Sequence, residues 1–308
     1  MYSEIIIYIV YCLEINYQMS LKKDLTIVFV SFYSKNLIEK PISQIDSNIP
    51  ILVIENSLDH ELKKSLEKKY SNVRVIIPDQ NTGNGGGANI GLRLAKTKFV
   101  LYLDIDVELS TPVLEKLYFF ANKLNDFSII GPGIEGLKYK ENYYLKRNIY
   151  EKVHSMNFIT GCALFFNMTA LKEIGYYDEN IFLYYEENDL YLRSLKKNYK
   201  IYLIEDAKIK HMGNQSTDLI KKEEIEINRN WHLMWSTFYF HKKHYGLLIA
   251  YKKTFLKLLS SSLKYLLFSI FRKDLNKKIY YARMSGIFNA MVGNKSWFRT
   301  NLDKVIDK

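Results

Sequence analysis

Over its first hundred residues the chain alternates short, almost wholly apolar runs with longer amphipathic ones. LTIVFVSF, PILVIEN, VRVII and FVLYLD read as strands, and NLIEKPISQI, LDHELKKSLEKKY and GANIGLRLAK between them read as helices. Runs apolar at nearly every position suit strands covered on both faces. The alternation therefore predicts an α/β fold, a mostly parallel sheet with helices on both faces. In such sheets ligands bind beyond the carboxyl ends of the strands. At that edge the runs end in polar or small residues: Ser31, Phe32 and Tyr33 after the first, Glu55, Asn56 and Ser57 after the second, Asp104 and Asp106 after the fourth.

The last pair poses a chemical question. Side chains at i and i+2 of an extended chain share a side, so two carboxylates would face each other's field at the strand end. A hard divalent cation between them, Mg2+ or Mn2+, relieves that repulsion and prefers oxygen ligands. The alternative is a polar strand end in which Asp106 or Ser110 caps the helix expected for TPVLEKLYFFANKL. Spacing alone does not choose between them.

Two further stretches carry candidate chemistry. PDQNTGNGGGANIGL places Gly83, Gly85, Gly86 and Gly87 ahead of a helix, where backbone N–H groups are able to cradle an anion. Gly83, Gly85 and Ala88 also fit a dinucleotide-binding spacing, but that loop follows the opening strand in a tight turn, whereas here PDQNT and two earlier βα units come first. In the second stretch, residues 157–216, Gly161, Cys162 and Ala163 interrupt an apolar strand, as where a ligand or backbone comes close. Glu186, Glu187 and Asp189 then open a helix. Acids are favoured in a first turn and Asp189 to Arg193 is a stabilising spacing, yet a general base placed after the apolar IFLYY would also have its pKa raised toward a working range. His211 follows a short strand, either as a structural residue or as the nitrogen donor of an oxygen-rich metal site.

Charge changes the picture only at the end of the chain. Of a net +11 over 308 residues, the part from Lys242 onward holds 15 Lys and Arg against Asp274, Asp303 and Asp307. A near-neutral first part with a basic, Leu/Phe-rich tail points to an anionic membrane surface rather than to nucleic acid, for which no motif is present. In LLIAYKKTFLKLLSSSLKYLLFSIFRK, helical spacing sets Lys253, Lys257, Ser260, Ser261 and Lys264 on one side and Leu248, Phe255, Leu259, Leu263, Leu266 and Ile270 on the other. Lysines interrupt the run too often for a spanning helix. An in-plane interfacial helix and a helix packed on the rest of the protein both fit. Two cysteines, Cys12 and Cys162, give no disulfide framework and suit a reducing compartment. The first residues show no export signal, and Met19 is an alternative start.

Taken in order, VSFYS, VIENS, NTGNGGGANIGL, LYLDIDV, FITGCALFF, GYYDENIFLYYEENDLYLR and KHMGNQS resemble the family 2 glycosyltransferases of the GT-A fold, in particular the rhamnosyltransferase-like branch, over about residues 24–216. The resemblance implies a GT-A domain at 24–240, with an N-terminal extension at 1–23 and a basic amphipathic helical tail at 241–308. It implies that Ser31, Tyr33, Glu55 (usually Asp in the family) and Asn56 hold the base and ribose. Asn81, Gly83, Gly85, Asn89 and Gly161 would line the nucleotide and sugar. Asp104 and Asp106 match the D-x-D, with Asp106 and His211 as metal ligands. Glu187 falls at the base position, normally Asp, with Glu186 and Asp189 as alternatives. The expected activity is inverting, Mn2+- or Mg2+-dependent transfer from a nucleotide-sugar donor to a glycan or lipid-linked acceptor, in the cytoplasm at the inner face of the membrane. A nucleotidyltransferase and a non-enzymatic basic adaptor are the rival readings.

Overall fold

The computed structural model describes residues 20–213, residue 217 and residues 222–299. They divide into two compact units. The first holds the described residues up to Asp79, Ala88–Tyr176 and those from Tyr191 to residue 217; the second holds Gln80–Gly87, Tyr177–Leu190 and those from Lys222 onward. The tail boundary expected at 240/241 lies within a single helix, Lys222–Tyr245.

The first unit is built on one sheet. The expected strands form as β1 (Leu25–Ser31), β2 (Ile51–Glu55), β3 (Val73–Ile76) and β4 (Phe99–Leu103). Helices α1 (Glu39–Ser43), α2 (His60–Lys69) and α3 (Gly83–Leu94) alternate with them. A short β5 (Val107–Glu108) and α4 (Thr111–Lys123) follow, then β6 (Phe127–Ile134), β7 (Tyr144–Tyr150), β8 (Val153–Met156), β9 (Ala163–Asn167), α5 (Met168–Ile174), α6 (Glu186–Lys196) and β10 (Lys200–His211). The sheet order is β3-β2-β1-β4-β9-β6-β10-β8-β7, with β5 paired to β10 off the main path. The first four strands are parallel, and β9 runs antiparallel between β4 and β6.

Both faces of the sheet are covered, as the apolar runs require. Leu25, Ile27 and Phe29 of β1 join Ile42 of α1, Leu62 and Leu66 of α2 and Leu114 and Leu117 of α4 in one buried cluster. Val28 points the other way, toward α3, where a Cβ at Gly91 would stand 2.4 Å from its Cγ1. The chain winds outward from β1 through β2 to β3, then returns to place β4 on the other side of β1. In sheets of this kind ligands bind where the strand order reverses, beyond the carboxyl ends of the strands, and Ser31 and Asp104 stand at that edge on β1 and just past β4.

In the second unit, α7 (Lys222–Tyr245), α8 (Leu247–Ile270) and α9 (Asp274–Met291) pack together around Trp231, Trp235, Phe238, Ala250, Ala282 and Ala290.

Candidate active site

Beyond β4 the chain does not stay extended. Leu103 is the last strand residue, and Asp104 to Asp106 form a turn closed by Val107 N–H donating to the Asp104 carbonyl at 3.2 Å. The turn is held from two sides. Asp104 N–H donates to the Cys162 carbonyl at 2.8 Å, continuing the β4–β9 ladder, while Met212 N–H donates to the Asp106 carbonyl at 3.1 Å. The β5–β10 pairing sets His211 opposite Val107, which brings its ring to the acids. One ligand atom from each of Asp104, Asp106 and His211 lies within 4.8 Å of the others. The common side expected of the two acids thus comes from a turn.

The electrostatics of this trio follow from crowding. Asp106 is 3% exposed, and His211 Nε2 lies 3.3 Å from its Oδ1. Asp106, ahead of the opposing effect of burial, raises the imidazole pKa, and Asp104 adds to the rise. Tyr102 OH donates to Asp104 Oδ1 at 2.9 Å, orienting that carboxylate. Two carboxylates and an imidazole form a hard oxygen and nitrogen donor set, so these residues fit a Mn2+ or Mg2+ ion. Ser110 stands at the N-cap of α4 but makes no side-chain capping bond there. Gly161 lies in the turn before β9, beside the Cys162 carbonyl that Asp104 uses.

At the ends of β1 and β2, Ser31 stands in register with Glu55, and Asn56 N–H donates to the Ser31 carbonyl at 2.8 Å. Glu55 is fully buried. Its Oε1 accepts the Ser57 N–H at 2.7 Å and the Ser57 hydroxyl, and burial raises its pKa. Ser57 Oγ in turn accepts Tyr33 N–H at 3.1 Å. Tyr33 adopts φ +48°, in the left-handed region that non-glycine residues rarely occupy. Through Ser57, the Glu55 carboxylate thus ties together the loops that follow β1 and β2. Asn89 is buried within α3.

The second unit holds the other candidates. Here the glycine stretch departs from expectation: α3 begins at Gly83, so the glycines form its first turns rather than an open loop. Gly83 takes φ +76° with its N–H on Asn81 Oδ1 at 2.9 Å, and Asn84 N–H donates to the Phe182 carbonyl at 3.0 Å. The reason is close approach. A Cβ at Gly83 would fall 2.1 Å from the Phe182 oxygen, and one at Gly85 would fall 3.3 Å from Glu186 Cβ.

Within that segment Tyr184 and Tyr185 both have positive φ, +66° and +71°. Two consecutive strained residues of this kind persist only where surroundings over-determine them. The Leu183 carbonyl accepts the Ser236 hydroxyl at 2.8 Å, and the Tyr185 ring lies 5.0 Å from that of Phe240. The three acids that follow have different environments. Glu186 is buried, with Oε1 accepting from Asn84 Nδ2 at 3.1 Å. Asp189 is fully buried, with Oδ1 at 2.7 Å from His244 Nε2 and 2.5 Å from Lys243 Nζ. Glu187 keeps part of its surface exposed while burial of the carboxyl raises its pKa. Arg193 donates to the carbonyls of Ile174, Gly175 and Tyr176 at the end of α5.

Several contributors escaped the sequence reading: Tyr102, Asn84, Ser236, Lys243 and His244. Tyr102 sits within two residues of a named candidate, a local signal. The partners from α7 left none.

Comparison with known proteins gives this geometry a class. GalNAc-T7 with UDP, GalNAc and Mn2+ superposes with a TM-score of 0.52 at 14% identity, covering 70% of this chain and 49% of the other, so the chain spans about half the length of that protein. The mannosyltransferase PcManGT from Pyrobaculum calidifontis, in complex with GDP-Man and Mn2+, superposes with a TM-score of 0.54 at 11% identity over 87% of each chain. These superpositions show that the chain has a GT-A-like fold. Residues 34–175 match the model of the Glycosyl transferase family 2. The low-salt glycan biosynthesis hexosyltransferase Agl10 of Haloferax volcanii is 26% identical over 214 residues, 62% of this chain and 69% of the relative. The dTDP-rhamnosyl transferase RfbF of Shigella flexneri is 23% identical over 238 residues, 71% of this chain and 79% of the relative.

Proposed function

We propose that this chain transfers a hexose or deoxyhexose, with inversion, from a nucleotide diphosphate sugar to a hydroxyl of a glycan or lipid-linked acceptor in cell-surface polysaccharide synthesis. The observation that carries the reading is the convergence of Asp104, Asp106 and His211 just past the carboxyl end of β4, the strand beside β1. The dTDP-rhamnosyl and hexosyl relatives favour a dTDP-deoxyhexose or UDP-hexose donor.

Asp106 and His211, with Asp104, would hold a Mn2+ or Mg2+ ion, which when bound supplies positive charge for the departing diphosphate. Ser31, Tyr33 and Asn56 would seat base and ribose on the loop ends that Glu55 and Ser57 order, with Asn81, Gly83, Gly85, Asn89 and Gly161 toward the nucleotide and sugar. Glu187 takes the acceptor hydroxyl proton, because burial gives its carboxylate a stronger pull on a proton than an exposed glutamate has. Glu186 and Asp189 are engaged by Asn84 and by His244 with Lys243, which favours Glu187. Work on a lipid-linked acceptor would place the protein at the cytoplasmic face of the membrane.

A thermal-shift panel of UDP-, dTDP- and GDP-sugars with and without Mn2+ identifies the donor, and product analysis identifies the reaction. Stabilisation by one metal-nucleotide sugar and release of its nucleoside diphosphate on sugar transfer support the reading. Release of pyrophosphate instead would assign a nucleotidyltransferase, and no response to any nucleotide an adaptor.

A further inference from the structure

The helix α8 packs with its sides reversed from the usual pattern of a surface helix. Its buried residues are Ala250, Thr254 and Ser261, small or hydroxylated, spaced to fall on one face. Thr254 and Ser261 satisfy their hydroxyls on their own helix, donating to the Ala250 carbonyl at 2.8 Å and the Lys257 carbonyl at 2.7 Å. The opposite face presents Leu248, Phe255, Leu256, Leu259, Leu263 and Leu266 to solvent, with Leu248 84% exposed, and Ile270 and Phe271 extend it. An apolar stripe running the length of a 24-residue helix is far more than the scattered exposure normal for a soluble surface.

Charge identifies what covers it. Lys253, Lys257 and Lys264 line one border of the stripe at helical spacing, Lys252 stands within it, and Arg272 and Lys273 close its end. From Gly246 to Arg299 the only acidic residue is Asp274. A second copy meeting this face symmetrically would set like charges against each other. Among the described residues no helix is long and apolar enough to cross a membrane. Tyr281, Phe288 and Trp297 add exposed rings of the kind favoured at the boundary between headgroups and acyl chains.

We propose that α8 is an interfacial helix that lies in the plane of an anionic lipid surface, its leucine stripe among the acyl chains and its lysine border at the phosphates. The packing then has a reason: the small face lets α8 sit close to α7 and α9, leaving the leucines of the stripe for the lipid. This extends the reading of a lipid-linked acceptor given above, but its test does not depend on sugar transfer.

Flotation of the full chain with vesicles of phosphatidylcholine alone, or mixed with phosphatidylglycerol, decides it. The protein should float with the mixed vesicles at low salt and be released as salt rises. Leu256→Glu with Leu263→Glu removes two exposed leucines and adds charge of the lipid's own sign, which should lower the partition coefficient on the order of a hundredfold. Lys253→Glu with Lys264→Glu, which leaves the stripe intact, should lower it in the mixed vesicles and leave nucleotide-sugar binding unchanged. Absence of the wild-type protein from both vesicle types would overturn the proposal. So would flotation of both double variants at the wild-type level. A wild-type dimer that Leu256→Glu with Leu263→Glu converts to monomer, without any change in flotation, would assign the stripe to a second copy instead.

Discussion

His244 Nε2 lies 2.7 Å from Asp189 Oδ1, and both side chains are almost completely buried. Lys243 reaches the same carboxylate and also Asp178, whose Oδ2 it meets at 2.8 Å. Burial alone would raise the Asp178 pKa, but Lys243, Asn180 and the Tyr239 hydroxyl outweigh it and hold the group at about 2. Asp189 is thus an anchor between the start of α6 and the end of α7, its carboxylate held by two cationic or imidazole partners.

Replacing that anchor should cost stability first. Asp189→Asn removes the buried carboxylate that His244 meets and leaves Lys243 with Asp178 alone, at a cost of about 3 kcal/mol in chemical denaturation. A variant that loses transfer while keeping wild-type stability would instead make Asp189 the base.

Glu187→Gln should behave in the opposite way. Transfer should fall roughly 10²- to 10⁴-fold with donor binding retained. The wild-type folded-state pKa is raised, so its contribution to stability is fully present below the usual glutamate range and lost as pH rises through the folded value. The activity of the wild type should rise over that same window as the base loses its proton, and Glu187→Gln should remove the pH-dependent part of the stability.

Asp106→Ala should abolish Mn2+-dependent nucleotide binding, and His211→Ala should raise the Mn2+ concentration it requires. Isothermal titration of nucleotide with and without Mn2+ reads both. Unchanged metal dependence in Asp106→Ala would remove this residue from the ligand set.

His232 predicts an acid-sensitive second unit. Its Nε2 donates to the Phe298 carbonyl at 2.8 Å and its Nδ1 lies 2.9 Å from Ser296 Oγ, an arrangement that satisfies the neutral ring. Burial, with Arg299 adding to it, lowers its pKa to about 3. The contribution is present above the ordinary histidine value and lost as pH falls toward 3, on the order of 5 kcal/mol over the whole window. Denaturant titrations between neutral pH and pH 4 should show this slope in the wild type and a flatter one in His232→Gln.

The parallel half of the sheet was legible because β1, β2 and β4 are apolar at nearly every position, a pattern that only two-sided burial explains. The edge strand β7 was not, since YLKRNIY is mostly exposed and carries no alternation. The start of α3 was misplaced because glycine is a poor helix former. What overrides that propensity is the close passage of Phe182 and Glu186, a contact about a hundred residues away along the chain. The two sides of α8 could be read from spacing, but the usual rule buries the apolar side, and here Ala250, Thr254 and Ser261 are the ones inside. Asp189 looked like any first-turn acid, and its partners on α7 lie 55 residues downstream.

The pairing of β5 with β10 also sets an order of events during synthesis. Asp104 and Asp106 leave the ribosome well before His211, which reaches them only through β10, the strand that also pairs with β6. A growing chain therefore carries two acids without their nitrogen partner until nearly the whole first unit has emerged. The full donor set of Asp104, Asp106 and His211 thus exists only once β10 has joined the sheet.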